Sequence, residues 1–334
     1  MSGSGGTGDA GSRIDPGMSG TGRQRADGMV GTAPRASRPA VVGATRFDPR
    51  LHAVPVLLVG ALVVTALCLN ASVGLVLRPT PLLALPPTLA LCAAGSIYLV
   101  LDRAPRLGEL ALYAGLWICY PPFGTLLSYL GVAAGLPLQD GTLAAADAAF
   151  GFDWLTWTRF VSAHPLLWDV QAFAYMSYTW QPLASVAVFA FCRPGYRNAE
   201  LLTAILVGLV ITQALAALLP AVGPAEAHHI DAPWAPAFRA LRASATDAFP
   251  YIGIITFPSF HTVMAILFAW AHRGSRSLFP LALTLNGLML VSVPAAGGHY
   301  LTDMIGGALI ALLAMWLAPR LLPAAPCTRA GRTA

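Results

Sequence analysis

Residues 54–77 read VPVLLVGALVVTALCLNASVGLVL and carry no charged side chain. An apolar run of about 20 residues is long enough to cross the hydrocarbon core of a bilayer as an α-helix. Similar runs recur along the chain and predict eight spanning segments, at residues 54–77, 81–101, 108–134, 168–192, 200–221, 255–272, 277–296 and 300–322. Pro121 and Pro122 leave open whether the third segment is one unbroken helix. We therefore expect an all-α integral membrane protein, a polytopic bundle of about eight transmembrane helices.

The composition points the same way. The 334 residues are 56% hydrophobic and 10% charged, and the mean hydropathy is +0.65. Soluble proteins have about 25% charged residues, so this chain has too few charges to cover its surface in water. A soluble enzyme, a disordered protein and a nucleic-acid binder are thereby excluded. The five cysteines form no CxxC pair, so neither a disulfide framework nor a zinc site is expected.

The arginines predict the topology. All 20 basic residues are arginine, and with the N-terminus inside, sixteen of them fall in cytoplasmic segments and four outside, as the positive-inside rule requires. We expect a multi-pass plasma-membrane protein with both termini cytoplasmic. Residues 1–50 are interpreted as a disordered Arg/Gly-rich cytoplasmic tail, residues 51–323 as the transmembrane domain, and residues 324–334 as a cytoplasmic C-terminal tail.

Two polar clusters open two of the predicted spans. FPSFH occupies residues 257–261 and GGHYLTD occupies residues 297–303, and the predicted topology places both at the outer face. His299 and Asp303 are one helical turn apart and share a face. The carboxylate is expected to bind one ring nitrogen, fix the tautomer and leave the other nitrogen free for attack on an electrophile.

The remaining polar residues of the two clusters fit an anion site. His261 is placed to donate a proton to a leaving oxygen. The free N–H groups at the two helix starts, near Ser259 and Gly298, favour an anion such as phosphate. The predicted arrangement is a nucleophile, an orienting carboxylate, an acid and an anion cradle.

The pair FPSFH and GGHYLTD resembles motifs of the type 2 phosphatidic acid phosphatase (PAP2) superfamily, in which the second and third motifs are PSGH and SRxxxxxHxxxD. It is most similar to the inositolphosphotransferase branch, which includes the inositol phosphorylceramide synthases. The resemblance implies a PAP2-like core and a phosphohistidine formed on His299, with Asp303 orienting the ring and His261 protonating the leaving group. It implies no cofactor and no metal.

The chain departs from the superfamily pattern at two motifs. Aligned on the third motif, Ser292 matches the serine but Val293 stands at the arginine. The first motif, KxxxxxxRP, is matched at Arg193 and Pro194, but Val186 replaces its lysine and the segment falls on the predicted inner side. We therefore do not assign that segment to the site.

A bound phosphate needs a neutralising cation. Arg239 and Arg242, three residues apart in the predicted outer loop 222–254, are expected to contact the phosphate, an assignment made from charge supply alone.

The expected function is a membrane phosphatase or phosphotransferase that acts on a lipid phosphate, with water or an alcohol or polyol as acceptor. Sequence does not separate hydrolysis from transfer, although the resemblance favours transfer. Two alternatives stay open. One is a metal-dependent membrane hydrolase that uses His261, His299 and Asp303 as ligands; the other is a non-enzymatic lipid-binding or transport protein. No nucleic-acid partner is expected, and the oligomeric state is left open.

Overall fold

The computed structural model describes residues 48–192, 195–246 and 249–324, and these residues are largely helical. The predicted tails fall outside the described residues, apart from residues 48–50 and 324. The α-helices of the described part are α1 Pro49–Val73, α2 Leu85–Val100, α3 Pro105–Ala133, α4 Asp140–Ala149, α5 Trp154–Ser162, α6 Pro165–Met176, α7 Gln181–Cys192, α8 Tyr196–Leu218, α9 Pro224–Ala227, α10 Ala235–Arg242, α11 Phe260–Ala271, α12 Leu278–Gly297 and α13 Leu301–Leu321.

Six helical segments are long and apolar enough to cross a membrane. They are Pro49–Val73, Pro81–Val100, Pro105–Ala133, Tyr196–Leu218, Leu278–Gly297 and Leu301–Leu321. The second of them begins with a short 3-10 turn, Pro81–Ala84, that leads into α2. The prediction of an all-α polytopic membrane protein is confirmed.

The other two predicted spans contain shorter helices. Within residues 168–192 the chain forms α6, a 3-10 turn at Ser177–Thr179, and then α7. Within residues 255–272 the helix begins only at Phe260, because the hydroxyl of Ser259 caps it by accepting the N–H of Thr262. This late start puts His261 in the first turn of α11.

Helix α3 is continuous through Pro121 and Pro122. A proline lacks the N–H that binds the carbonyl four residues earlier, so the carbonyls of Trp117 and Ile118 lose their usual helical partners. Trp117, Ile118 and Pro121 all line the cavity described below. The proline pair therefore lies beside this cavity, within α3 rather than at its end.

Helices α3 and α8 form the centre of the bundle, and α3 packs against α1, α2, α7, α8 and α10. Glycines allow several close crossings. A Cβ at Gly95 of α2 would lie 2.6 Å from the backbone nitrogen of Leu112. A Cβ at Gly307 of α13 would collide with the carbonyl oxygen of Ser259. The second crossing brings the starts of α11 and α13 together.

The long connections between the spans form short helices over the bundle. Helix α5 begins at Trp154, whose side chain is buried and whose Nε1 donates to the carbonyl of Pro294 at 2.8 Å. That indole therefore packs on α12 rather than joining an aromatic belt. A two-residue parallel pair, Leu77–Arg78 with Phe249–Pro250, joins the segment before α11 to the connection that follows α1.

Candidate active site

His299 lies in the turn between α12 and α13. Gly298 ends α12 with a left-handed φ of +62°, a conformation that glycine adopts at little steric cost. The ring nitrogen Nδ1 of His299 lies 3.2 Å from Oδ2 of Asp303, and the two side chains are 2% and 0% exposed. Because Nδ1 faces the carboxylate, the hydrogen bond assigns the proton to Nδ1 and leaves the lone pair on Nε2.

Asp303 also closes the start of its own helix. Its Oδ2 accepts the backbone N–H of Tyr300 at 2.9 Å. The bond to His299 and the bond to Tyr300 converge on one oxygen, so the carboxylate is fixed by the helix start and in turn fixes the imidazole. Its other oxygen, Oδ1, is buried and has no partner within the described residues.

His261 lies across from this pair, in the first turn of α11. Its ring stacks on Tyr175 with centroids 4.3 Å apart, and Nδ1 lies 3.2 Å from the Tyr175 hydroxyl. Tyr178 meets the same ring edge-on at 4.8 Å. The rings of His261 and His299 are 6.2 Å apart. The Nε2 atom of His261 is buried and has no partner among the described atoms.

The two motifs are joined directly through their backbones. The N–H of Ser259 donates to the carbonyl of Asp303 at 3.0 Å, and Gly307 allows the close approach of the two helices. The structure thus brings together His261, His299, Asp303 and Ser259, four of the residues that the sequence predicts for the site.

The structure does not form the predicted anion cradle at the start of α13. Asp147 of α4 accepts the N–H groups of Leu301 and Thr302, each at 2.8 Å. These are helix-start N–H groups that were predicted to bind phosphate, and the carboxylate of Asp147 binds them instead. Gly298 does not face an open site either, because a Cβ there would collide with the indole of Trp234.

The predicted phosphate contacts Arg239 and Arg242 do not reach the histidines. Arg239, on α10, forms an ion pair with Glu226 in which its side chain is 59% exposed. Arg242 donates to the carbonyl of Leu136. Neither arginine lines the cavity that contains the histidines, because α10 directs both guanidinium groups towards neighbouring connections.

A cavity of about 760 Å³ opens beside the two histidines. Apart from them, its walls are aliphatic, aromatic, hydroxyl and amide side chains, and no Arg, Asp or Glu is among the described residues that line it. The aromatic wall consists of Trp117, Tyr120, Tyr175, Tyr178, Trp234, Tyr251 and Phe260. Burial raises the pKa of Tyr251 to about 12, so its phenol stays protonated at neutral pH and able to donate.

The geometry does not favour the metal-site alternative. Asp303 directs Oδ2 to His299 Nδ1, so these two side chains bind each other rather than a shared ion. No group of three or more His, Cys, Asp or Glu side chains in the described part of the chain has the arrangement of a metal site.

Sequence reasoning missed several residues around the histidines. Tyr175 lies in the last turn of α6 and Tyr178 in the 3-10 turn that follows, and no local pattern links either to a histidine as distant in sequence as His261. Asp147 stands among mixed aromatic and charged residues, a composition that favours a helix at the membrane interface. A Trp in an outer loop favours an aromatic belt, whereas Nε1 of Trp234 donates to the carbonyl of Val222 at 2.8 Å and its ring lines the cavity. The only sequence signal was the unusual density of Tyr and Trp in these connections.

The chain matches the model of a known protein family. The family model described as the PAP2 superfamily matches residues 141–317, more than half of the chain. The matched range extends from α4 to α13 and contains both histidine motifs. No curated protein and no solved structure matches the chain.

Proposed function

Because the chain belongs to the PAP2 superfamily and its helices make it a multi-pass membrane protein of phosphatase type, we propose that it transfers a phosphoryl group from a lipid phosphate through a phosphohistidine on His299. The observation that carries the proposal is the buried His299–Asp303 pair, which faces a second histidine across one end of an apolar cavity.

In the first step, Nε2 of His299 attacks phosphorus. The P–N bond forms as the bond from phosphorus to the leaving oxygen breaks, and His261, which takes up a proton when the anionic phosphate binds beside it, gives that proton to the leaving oxygen. The phosphorylated imidazole is cationic while Nδ1 keeps its proton, and the adjacent Asp303 carboxylate stabilises this charge.

In the second step, water or an alcohol attacks the phosphohistidine. His261, now neutral, takes the proton from the attacking hydroxyl, and the P–N bond breaks to restore His299. The acceptor alone decides between hydrolysis and transfer, so both outcomes use the same residues.

The chemistry of the cavity supports transfer from a phosphodiester. A phosphomonoester carries close to two negative charges at neutral pH, whereas a phosphodiester carries one. The described cavity wall has no arginine and the whole chain no lysine, so the single charge is the easier to accommodate. This argument supports an inositolphosphotransferase-like reaction with an alcohol or polyol acceptor.

The largely apolar wall of the cavity supports a lipid donor. The arginine distribution supports a plasma-membrane enzyme with both termini cytoplasmic and the site on the outer face. An epitope tag between α11 and α12, at residues 273–276, is then inaccessible from outside intact cells. Labelling of that tag in intact cells would reverse the orientation.

The decisive experiment offers the detergent-solubilised full chain two donors, phosphatidic acid and phosphatidylinositol. Released phosphate, transferred head group and acid-labile phosphoprotein are measured with and without chelator, for wild type and His299→Ala. We expect turnover that resists chelator and a phosphoprotein, both of which disappear in the variant. Chelator-sensitive turnover would favour the metal-dependent alternative. Lipid binding without turnover of any donor or acceptor would favour the non-enzymatic one.

A further inference from the structure

Helix α4 supplies two carboxylates to the segments that surround His299. Asp140 accepts the N–H groups of Val222 and Gly223, at 3.1 and 2.8 Å. A Cβ at Gly223 would lie 2.8 Å from the carbonyl oxygen of Gly298, so this loop packs on the turn that carries the histidine. The second carboxylate, Asp147, binds the helix start itself.

Asp147 is 4% exposed, and all described hydrogen bonds of its side chain go to the first turn of α13. It accepts the N–H groups of Leu301 and Thr302, each at 2.8 Å, and the hydroxyl of Thr302 at 2.6 Å. A buried carboxylate is stabilised by such donors and by the positive end of the helix. The bonds cross more than 150 positions of sequence, so local capping does not explain them.

Three consecutive backbone N–H groups therefore donate hydrogen bonds to carboxylates. Tyr300 donates to Asp303, while Leu301 and Thr302 donate to Asp147. His299 directly precedes this triplet and Asp303 directly follows it. A rotation or shift of the helix start would move both members of the histidine–carboxylate pair.

From this geometry we infer that Asp147 is a positioning residue: it fixes the first turn of α13 and thereby the direction in which Nε2 of His299 points. The inference rests on the proposed function, because a fixed Nε2 matters only for in-line attack on phosphorus. Asp147 touches neither the reacting atoms nor the cavity wall.

Asp147→Asn tests the inference. Asparagine keeps one acceptor oxygen but turns an NH2 group towards N–H donors, so the first turn of α13 loses part of its anchor. We expect kcat for the donor that wild type uses best to fall about 10- to 100-fold, with KM changed less than about threefold, because the cavity wall is unaltered. Thr302→Val removes only the hydroxyl bond and should give a smaller loss in the same direction.

Asp153→Asn is the matched control. Asp153 caps α5 by accepting the N–H and the hydroxyl of Thr156, at 3.0 and 2.7 Å, and these bonds lower its pKa, the side-chain bond most. The hydrogen bonds are of the same kind as those of Asp147, although Asp153 is exposed, and the capped helix carries no residue of the histidine pair. We expect kcat within about twofold of wild type, since such caps act on local stability.

A spectroscopic readout separates positioning from general stability. The Nδ1–H signal of His299, identified by its absence in His299→Gln, is followed by NMR in micelles of ¹⁵N-histidine-labelled full chain. Asp147→Asn and Thr302→Val should shift or broaden this signal, and Asp153→Asn should not.

The outcomes are distinct. If kcat per folded molecule and the NMR signal of Asp147→Asn both stay as in wild type, or change equally in Asp153→Asn, the inference is overturned. If Asp147→Asn does not fold, Thr302→Val decides by the same two measurements. If wild type turns over no lipid phosphate, the proposed function fails, and the NMR comparison alone decides whether Asp147 positions the histidine.

Discussion

The two ends of α11 carry clusters of ionisable side chains that differ in how completely they are paired. Beyond its C-terminal end, the carboxylate of Glu200 on α8 forms ion pairs with Arg197 at 2.8 Å and with Arg273 at 2.6 Å, so both of its oxygens have a partner. At its N-terminal end, Nε2 of His261 and Oδ1 of Asp303 are buried with no partner within the described residues.

We interpret this difference as one between a structural cluster and the proposed reactive one. A buried polar atom without a partner costs stability, and such atoms are few in native proteins. The cluster around Glu200 avoids that cost and holds α8 against the segment after α11. The cluster around His299 retains two buried polar atoms without partners, and this loss of stability is expected where a bound substrate supplies the missing partner. Variants of the first cluster should change stability, and variants of the second should change rate.

The largest effect is expected for Asp303→Asn. The asparagine amide donates where the carboxylate accepts, so it favours the tautomer of His299 that has its lone pair on the wrong nitrogen. We expect the single-turnover rate of phosphoprotein formation to fall about 10⁴-fold, with little change in lipid binding. Ser292→Ala is the control, because the Ser292 hydroxyl donates only to Met289 of its own helix. A loss below tenfold in Asp303→Asn would remove Asp303 from the mechanism.

His261→Gln should have the next largest effect, and the effect should depend on the leaving group. Without the acid, turnover of an ester with an alkoxide leaving group should drop about 10²-fold. A nitrophenyl ester should lose much less, because its leaving group departs without a proton. Tyr175→Phe, which removes only the hydroxyl 3.2 Å from Nδ1, should lie between wild type and His261→Gln. Equal losses for both esters would show that His261 is not the acid.

Glu200→Gln should change stability and leave the rate per folded molecule intact. The substitution leaves two guanidinium groups without their carboxylate, which should lower the free energy of unfolding by about 3 kcal/mol. Glu226→Gln, which breaks the exposed pair with Arg239, should lower it by at most about 1 kcal/mol. Thermal unfolding in detergent measures both. A fall in rate without a fall in stability would contradict the division between the two ends of α11.

The smallest effect is expected for Arg242→Ala. Its guanidinium donates to the carbonyl of Leu136 and does not line the cavity. The KM for the lipid donor should therefore change less than about twofold, the size typical of surface substitutions. Arg239→Ala is the matched variant. The KM for the lipid donor and the inhibition by inorganic phosphate are measured for wild type and for both variants. A tenfold rise in KM would restore the sequence assignment of these arginines to the phosphate.

Much of the fold follows from the sequence because the bilayer imposes one simple rule on length and hydrophobicity. Leu278–Gly297 and Leu301–Leu321 obey it and lie within about one residue of the predicted spans, whereas Pro49–Val73 is displaced from its predicted span by about five residues. Residues 168–192 are also predicted as one span, yet the α-helix is interrupted there by the 3-10 turn Ser177–Thr179. Hydropathy alone does not reveal such a break, because apolar side chains satisfy the rule whether or not the backbone stays helical.

The site divides in the same way. His299 and Asp303 are found from their spacing of four residues, although His299 lies in the turn before α13 and the pair is held together at the helix start rather than on one helix face. Asp147 and Tyr175 are not found, because their partners are distant in sequence and their contacts depend on how the helices pack. Arg239 and Arg242 are predicted as phosphate contacts only because they are outer-loop cations. Charge alone does not show where a side chain points, and α10 directs both to other partners.

Gly298 also has a consequence in genetic terms. Two independent constraints meet at this position: the backbone has φ of +62°, and the indole of Trp234 occupies the place of a side chain. In a saturation screen for activity, every substitution at 298 meets both constraints at once. A second-site change of Trp234 to a smaller residue relieves only the collision and leaves the backbone strain. Suppressors of Gly298 variants should therefore be rare, and those found at 234 should restore activity only in part.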